Sequence, residues 1–270
     1  MNLQHRNNIR LAGAGPDAGK PMMVLLHGFG CDQSMWRYMV PAFEASHQLL
    51  LFDLVGSGGS DLSAYDREKY GTLHGYADDL LEIIAAHGNG PVIFVGHSVS
   101  AMIGLLAANK APELFASQIM VGPSACYIDD EGYRGGFSRA DIDDLLDTME
   151  GNYLGWSSTM APAIMGAADR PELAEELTNS FCRTDPEIAK HFARVTFLSD
   201  HRADLAHSRT PCLILQCSED LIAPLEVGQY IHRALPGSTL AIIENTGHCP
   251  HLSAPDASVA AVRRFLDLRD

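Results

Sequence analysis

The sequence has no apolar run approaching the ~20 residues that span a bilayer, so no membrane span is expected. Met1 to Lys20 is polar and rich in Gly and Ala, with no signal-peptide core, and the expectation is a cytoplasmic protein. Cysteine spacing is equally uninformative for bridges. The six cysteines, Cys31, Cys126, Cys182, Cys212, Cys217 and Cys249, form no C-x-x-C pair, and Cys212 and Cys217 fall in an apolar run. Free buried thiols are expected, with neither disulfides nor a zinc site. Positive charge is scarce: 19 Lys and Arg stand against 34 Asp and Glu, a net charge of −15. That balance argues against nucleic acid and anionic membrane surfaces as partners. Nucleotide-binding signatures are also missing. Asp53 to Asp61 is a Gly- and Ser-rich loop after a strand, yet it lacks the Gly-Lys-Ser/Thr ending of a P-loop and the G-x-G-x-x-G spacing of a dinucleotide site. It reads as a structural loop, and no cofactor is expected.

What is present is 270 residues, 46% hydrophobic, enough for one large α/β domain with an insertion. Short apolar runs predict strands at Met22–Leu26, Gln48–Phe52, Val92–Val95, Gln118–Val121, Pro211–Cys217 and Ser238–Ile243. Helical spacing marks Thr72–His87, Ala101–Asn109 and Val259–Leu268. This alternation predicts a mostly parallel sheet with helices on both faces. The alternation stops between residues 125 and 200, where four helices are expected at about Ser138–Glu150, Tyr153–Met165, Pro171–Cys182 and Asp185–Ser199. Pro171 and Pro186 stand where helix starts tolerate proline. The domain reading is therefore a core of residues 1–124 and 201–270 with a helical cap of residues 125–200. The cap carries 15 acidic and 6 basic residues, hence nine of the fifteen net negative charges. This is a solvated face or a docking face for a basic partner.

One stretch organises the rest. Val92 to Val95 runs into Gly96-His97-Ser98-Val99-Ser100 and then into a helix. A serine on such a strand-turn-helix corner has its hydroxyl lifted above the sheet, and the helix aims its first N–H groups at whatever the serine attacks. The last glycine of the G-x-S-x-G pattern is Ser100 here, a small residue that still allows close helix–strand packing. A base and a carboxylate follow in order: Asp220 after one strand and His248 after the next. His248 would take and return the serine proton, and Asp220 would hold its tautomer. Glu219 is the rival carboxylate, but alternate residues leaving a strand face opposite ways. The loop His27-Gly28-Phe29-Gly30 offers the Phe29 N–H, and the corner offers the Val99 N–H, as an oxyanion hole. His97, Phe137, Tyr153, Trp156, Met160 and Phe192 are candidate lining residues for an apolar substrate pocket. His97 reads equally as a structural histidine, and His251 as structural. His248-Cys249-Pro250-His251 matches no metal-ligand spacing.

The chain resembles the RsbQ-like branch of α/β-hydrolases, which includes bacterial RsbQ and the plant strigolactone and karrikin receptor hydrolases. The matching stretches are Gly28 to Ser34 with Trp36, Phe52 to Gly58, Gly96 to Gly104, Asn152 to Trp156, Phe197 to Arg202 and Gly247 to His251. The resemblance implies an eight-stranded α/β-hydrolase core with a V-shaped, four-helix cap. It implies slow hydrolysis of small apolar esters or lactones, and a signalling role with a regulatory protein docking on the cap. The alternatives are a carboxylesterase without signalling and a ligand-sensing regulator without turnover. Serine at position 98, where halide-releasing relatives carry aspartate, disfavours dehalogenation.

Overall fold

The central predicted strands Met22–Leu26 and Val92–Val95 are apolar at every position, as strands are when both sheet faces are covered. The computed structural model describes residues 2–15 and 19–267. Met1 and residues 16–18 of the polar N-terminal stretch, and Leu268, the expected end of the last helix, lie outside them. The strands are β1 Arg10–Gly13, β2 Met22–Leu26, β3 Gln48–Phe52, β4 Val92–His97, β5 Phe115–Val121, β6 Cys212–Glu219 and β7 Ser238–Thr246. Their alternation sorts the core into two layers. Met23, Leu25, Leu49, Leu51, Ile93, Val95, Leu213 and Leu215 face one side. Val24, Leu26, Leu50, Phe52, Val92, Phe94, Cys212 and Ile214 face the other. Helices α1 Leu73–His87, α2 Val99–Lys110 and α7 Leu225–Ala234 cover the second face, and α8 Pro255–Asp267 covers the first with the segment from Met35 to Phe43. No helix among the described residues is long and apolar enough to cross a membrane.

The sheet order is β1-β3-β2-β4-β5-β6-β7, with β2 to β7 parallel and β1 antiparallel to β3. Seven strands are therefore present among the described residues, against the eight the resemblance implies. β1 escaped sequence reading because it is an exposed edge strand paired on one side only. It needs no apolar run, and Leu11 is 58% exposed. The chain steps from β2 out to β3, then back past β2 to β4. That reversal opens a crevice between the C-terminal ends of β2 and β4, where open α/β sheets place their sites.

Between β5 and β6 the chain leaves the sheet for four helices: α3 Arg139–Gly151, α4 Tyr153–Met165, α5 Pro171–Arg183 and α6 Pro186–Phe197. Their starts are chemically marked. Ser138 and Asp141 form a reciprocal capping box, the Asn152 side chain accepts from the Gly155 N–H, and Asp185 accepts from Glu187 and Ile188. Pro171 and Pro186 occupy first helical positions. The outgoing and returning chains are tied where the His201 N–H donates to the Ala125 carbonyl at 2.7 Å.

Candidate active site

Each chemistry-bearing residue stands just past a parallel strand: Ser98 after β4, Asp220 after β6 and His248 after β7. The sheet's parallel register thus gathers residues far apart in sequence at one edge. Ser98 has φ 56° and ψ −123°, a left-handed backbone that a non-glycine residue adopts only under constraint. Its N–H is held by the Val121 carbonyl of the neighbouring strand at 2.8 Å. The loop after β2 packs tightly against this corner. A Cβ on Gly28 would lie 2.5 Å from the His97 ring and 3.2 Å from the Ser98 Cβ, so only glycine fits there.

The Ser98 hydroxyl lies 2.8 Å from His248 Nε2, and His248 Nδ1 lies 2.7 Å from Asp220 Oδ2. The other Asp220 oxygen accepts the N–H groups of Ile222 and Ala223 at 2.8 and 3.1 Å. All three residues are buried. Glu219, the sequence rival, turns outward to the Thr246 hydroxyl. The histidine loop is locked from two sides. The Gly247 N–H donates to the Glu219 carbonyl, and the His248 N–H donates to Ile164 of α4 at 2.8 Å. Gly247, at φ 106°, lies against the end of α4, where a Cβ would be 2.0 Å from the Met165 carbonyl oxygen.

Phe29, on the loop after β2, and Val99, directly after Ser98, flank the serine. Val99 is the first residue of α2, whose leading N–H groups have no partner within the helix. The Phe29 ring packs against Trp156, Phe181, Phe192 and Phe197, with centroids 5.6 to 6.3 Å away. Ser100, the departure from the glycine pattern, is fully buried and donates its hydroxyl to the His27 carbonyl. That bond ties the serine helix to the Gly28–Phe29 loop. Replacing Ser100 with alanine should lower unfolding free energy by about 1–2 kcal/mol, because a buried acceptor loses its donor. Chemical denaturation with urea measures it, and an unchanged midpoint would remove the bond from this account.

A cavity of about 30 Å³ lies over Ser98 and His248, room for one or two waters. Of the predicted lining residues, His97, Trp156 and Met160 border it, and Phe137, Tyr153 and Phe192 do not. Tyr153 stands behind Trp156, stacked on it at 6.2 Å, with its hydroxyl spent on the Phe181 carbonyl. Phe192 is wedged between Phe29 and Tyr76. Phe137 lies in the turn before α3, its backbone bonded to Tyr127 and Asp129. Sequence reasoning missed Tyr127, Leu145, Leu177, Thr196 and Ile222, which border the cavity. Tyr127 had a usable signal, since it follows the end of β5 at the same sheet edge as the serine. Burial pushes its phenol up to about 12, so it remains a protonated donor beside Ser98. His97 Nε2–H donates to the His248 carbonyl, 3.0 Å away, and burial holds its ring well below the usual imidazole range.

The model of the Alpha/beta hydrolase family matches residues 23–262. The chain is 36% identical over 266 residues to the strigolactone esterase D14 of Arabidopsis thaliana, covering 98% of both proteins. It is 36% identical over 265 residues to the karrikin insensitive 2 receptor CA of Petunia hybrida, covering 98% of this chain and 97% of that protein. Among solved structures it is similar to a hydrolase from Oleispira antarctica, with 40% identity, a TM-score of 0.94, and coverage of 98% of this chain and 96% of that one.

Proposed function

The chain belongs to the alpha/beta hydrolase family, and from that premise we propose that it hydrolyses small, mostly apolar esters or lactones through Ser98, His248 and Asp220. The observation that carries the reading is the unbroken hydrogen-bonded chain from the Ser98 hydroxyl through the His248 ring to the Asp220 carboxylate, under an apolar cavity. In this reading His248 Nε2 takes the hydroxyl proton as Ser98 Oγ bonds to the ester carbonyl carbon. The carbonyl oxygen becomes an anion held by the Phe29 and Val99 N–H groups. The C–O bond to the alcohol then breaks, and the alkoxide leaves with the proton from His248. Water, deprotonated by His248, attacks the acyl-Ser98, releasing the acid and restoring the serine. Asp220 stays charged throughout and stabilises the imidazolium. The acceptor role of Asp220 Oδ1 toward two backbone N–H groups fixes the carboxylate for that task.

Residues 125–200 act in this proposal as a lid. The cavity has room for only one or two waters, so larger substrates enter only as α3 to α6 shift from the core. The ring of Phe181 closes against Gly30, where a Cβ would be 1.9 Å from it, and it also packs on Phe29 and Trp156. The expected profile is hydrolysis of p-nitrophenyl acetate and butyrate with none of the palmitate ester. Phe181→Ala should raise the octanoate-to-acetate rate ratio by about tenfold, the scale of one or two methylenes in an apolar pocket. No hydrolysis of any short ester above the buffer rate would contradict the reading.

A second reading adds a receptor role. It is supported by the relatives named as receptors and by the direct bond from α4 to the histidine loop, which joins lid and site. In it, the acidic lid recruits a regulatory protein once the pocket is engaged. Pull-down of neighbouring-gene products with and without a hydrolysable lactone tests it. Capture independent of the lactone, or no capture, leaves the simple esterase.

A further inference from the structure

His251 is fully buried, yet neither of its ring nitrogens has a hydrogen-bond partner. A neutral imidazole always carries one donor and one acceptor, so both are desolvated here with nothing in return. Such an orphan calls for an explanation. Its ring lies between the Trp36 indole, 4.7 Å away, and the His97 ring, 4.5 Å away. His97 Nδ1 is likewise buried and unpartnered. The Cys249 thiol stands 4.0 Å from His97 Nε2. One ligand atom from each of His97, Cys249 and His251 lies within 4.8 Å of the others.

We propose that His97, Cys249 and His251 form a binding site for a borderline-soft cation of the Zn²⁺ type. The donors are two imidazoles and one thiolate, the set such ions prefer in tetrahedral sites. Tetrahedral bond lengths put the ligand atoms about 3.5 Å apart, so a contraction of about 1 Å completes the geometry. His-Cys-Pro-His alone has no ligand spacing; the fold supplies His97 from beside the serine, 152 residues before Cys249. Each neutral imidazole has one bare nitrogen with a lone pair to give, and three of the four ring nitrogens have no partner. The active-site cavity borders His97 and Cys249, which gives the ion a path and a water for its fourth position. On coordination the Cys249 thiol releases its proton to solvent, and the site gains one net positive charge.

The consequence reaches the triad. His97 Nε2 gives up its bond to the His248 carbonyl, its proton passing to the unpartnered Nδ1, and takes the metal, so a positive charge stands beside the ring that must itself become cationic. Zn²⁺ therefore inhibits ester hydrolysis without entering the reaction. Equilibrium dialysis of the full chain against Zn²⁺ should retain one equivalent, and Co²⁺ in its place should give a thiolate-to-cobalt charge-transfer band. Cys249→Ser should abolish the band and lower affinity at least tenfold, and His251→Ala should lower affinity similarly. Circular dichroism checks that each variant is folded, and the near-isosteric Cys249→Ser carries the comparison where His251→Ala does not fold. Retention below a tenth of an equivalent, or binding and spectrum unchanged in the folded variants, overturns the proposal and leaves His251 as an unpaired core histidine.

Discussion

Ser98→Ala is expected to lower kcat/KM for p-nitrophenyl acetate by at least about a thousandfold, down to what the remaining cavity and oxyanion donors supply. Alanine removes the oxygen that forms the acyl bond and leaves the His248 ring its bond to Asp220. The strained backbone at φ 56° is set by the Val121 carbonyl and the packing around Gly28, not by the hydroxyl. The variant should therefore fold, with stability within about 1 kcal/mol of the parent. Initial rates with both proteins at matched concentration measure it, alongside urea unfolding. A folded variant retaining a tenth of the activity would mean that the hydrolysis comes from another group.

Asp220→Asn should cost about ten-thousandfold in kcat while altering KM little. The asparagine amide has one oxygen and one NH₂, where the carboxylate has two acceptors. Its oxygen is claimed by the N–H groups of Ile222 and Ala223, since turning the NH₂ toward them would set donor against donor. The NH₂ then faces His248 Nδ1, which must accept. The imidazole proton moves to Nε2, the nitrogen that must take the Ser98 proton. The base is present but in the wrong tautomer. Asp220→Glu is a weaker probe, because a longer side chain displaces the ring. A full kcat in Asp220→Asn would remove Asp220 from the mechanism.

Much of this architecture was legible because both sheet faces are covered. Strands such as Val92 to Val95 then read as unbroken apolar runs, and their ends mark where Ser98, Asp220 and His248 emerge. β1 was not legible, because an exposed edge strand carries no such run. The four inserted helices were legible from their periodicity and from Pro171 and Pro186. Which side of each helix meets the cavity was not. Periodicity identifies an apolar stripe, but Tyr153 and Phe192 spend theirs on neighbouring side chains and backbone, while Leu145, Leu177 and Thr196 reach the cavity. Those outcomes depend on how helices cross, which no local spacing encodes. The tie from Ser100 to His27 and the union of His97 with Cys249 and His251 depend on chain segments brought together only by the fold.

The central claim is that the Ser98 hydroxyl is activated by His248. The most direct measurement is the intact mass, followed by peptide mapping, after exposure to a serine-reactive fluorophosphonate. A single phosphonyl adduct on Ser98 in the parent, with labelling absent in Ser98→Ala and at least about a hundredfold slower in His248→Ala, is the predicted result. An adduct on another residue, or labelling of Ser98 at the same rate without the His248 imidazole, would contradict it.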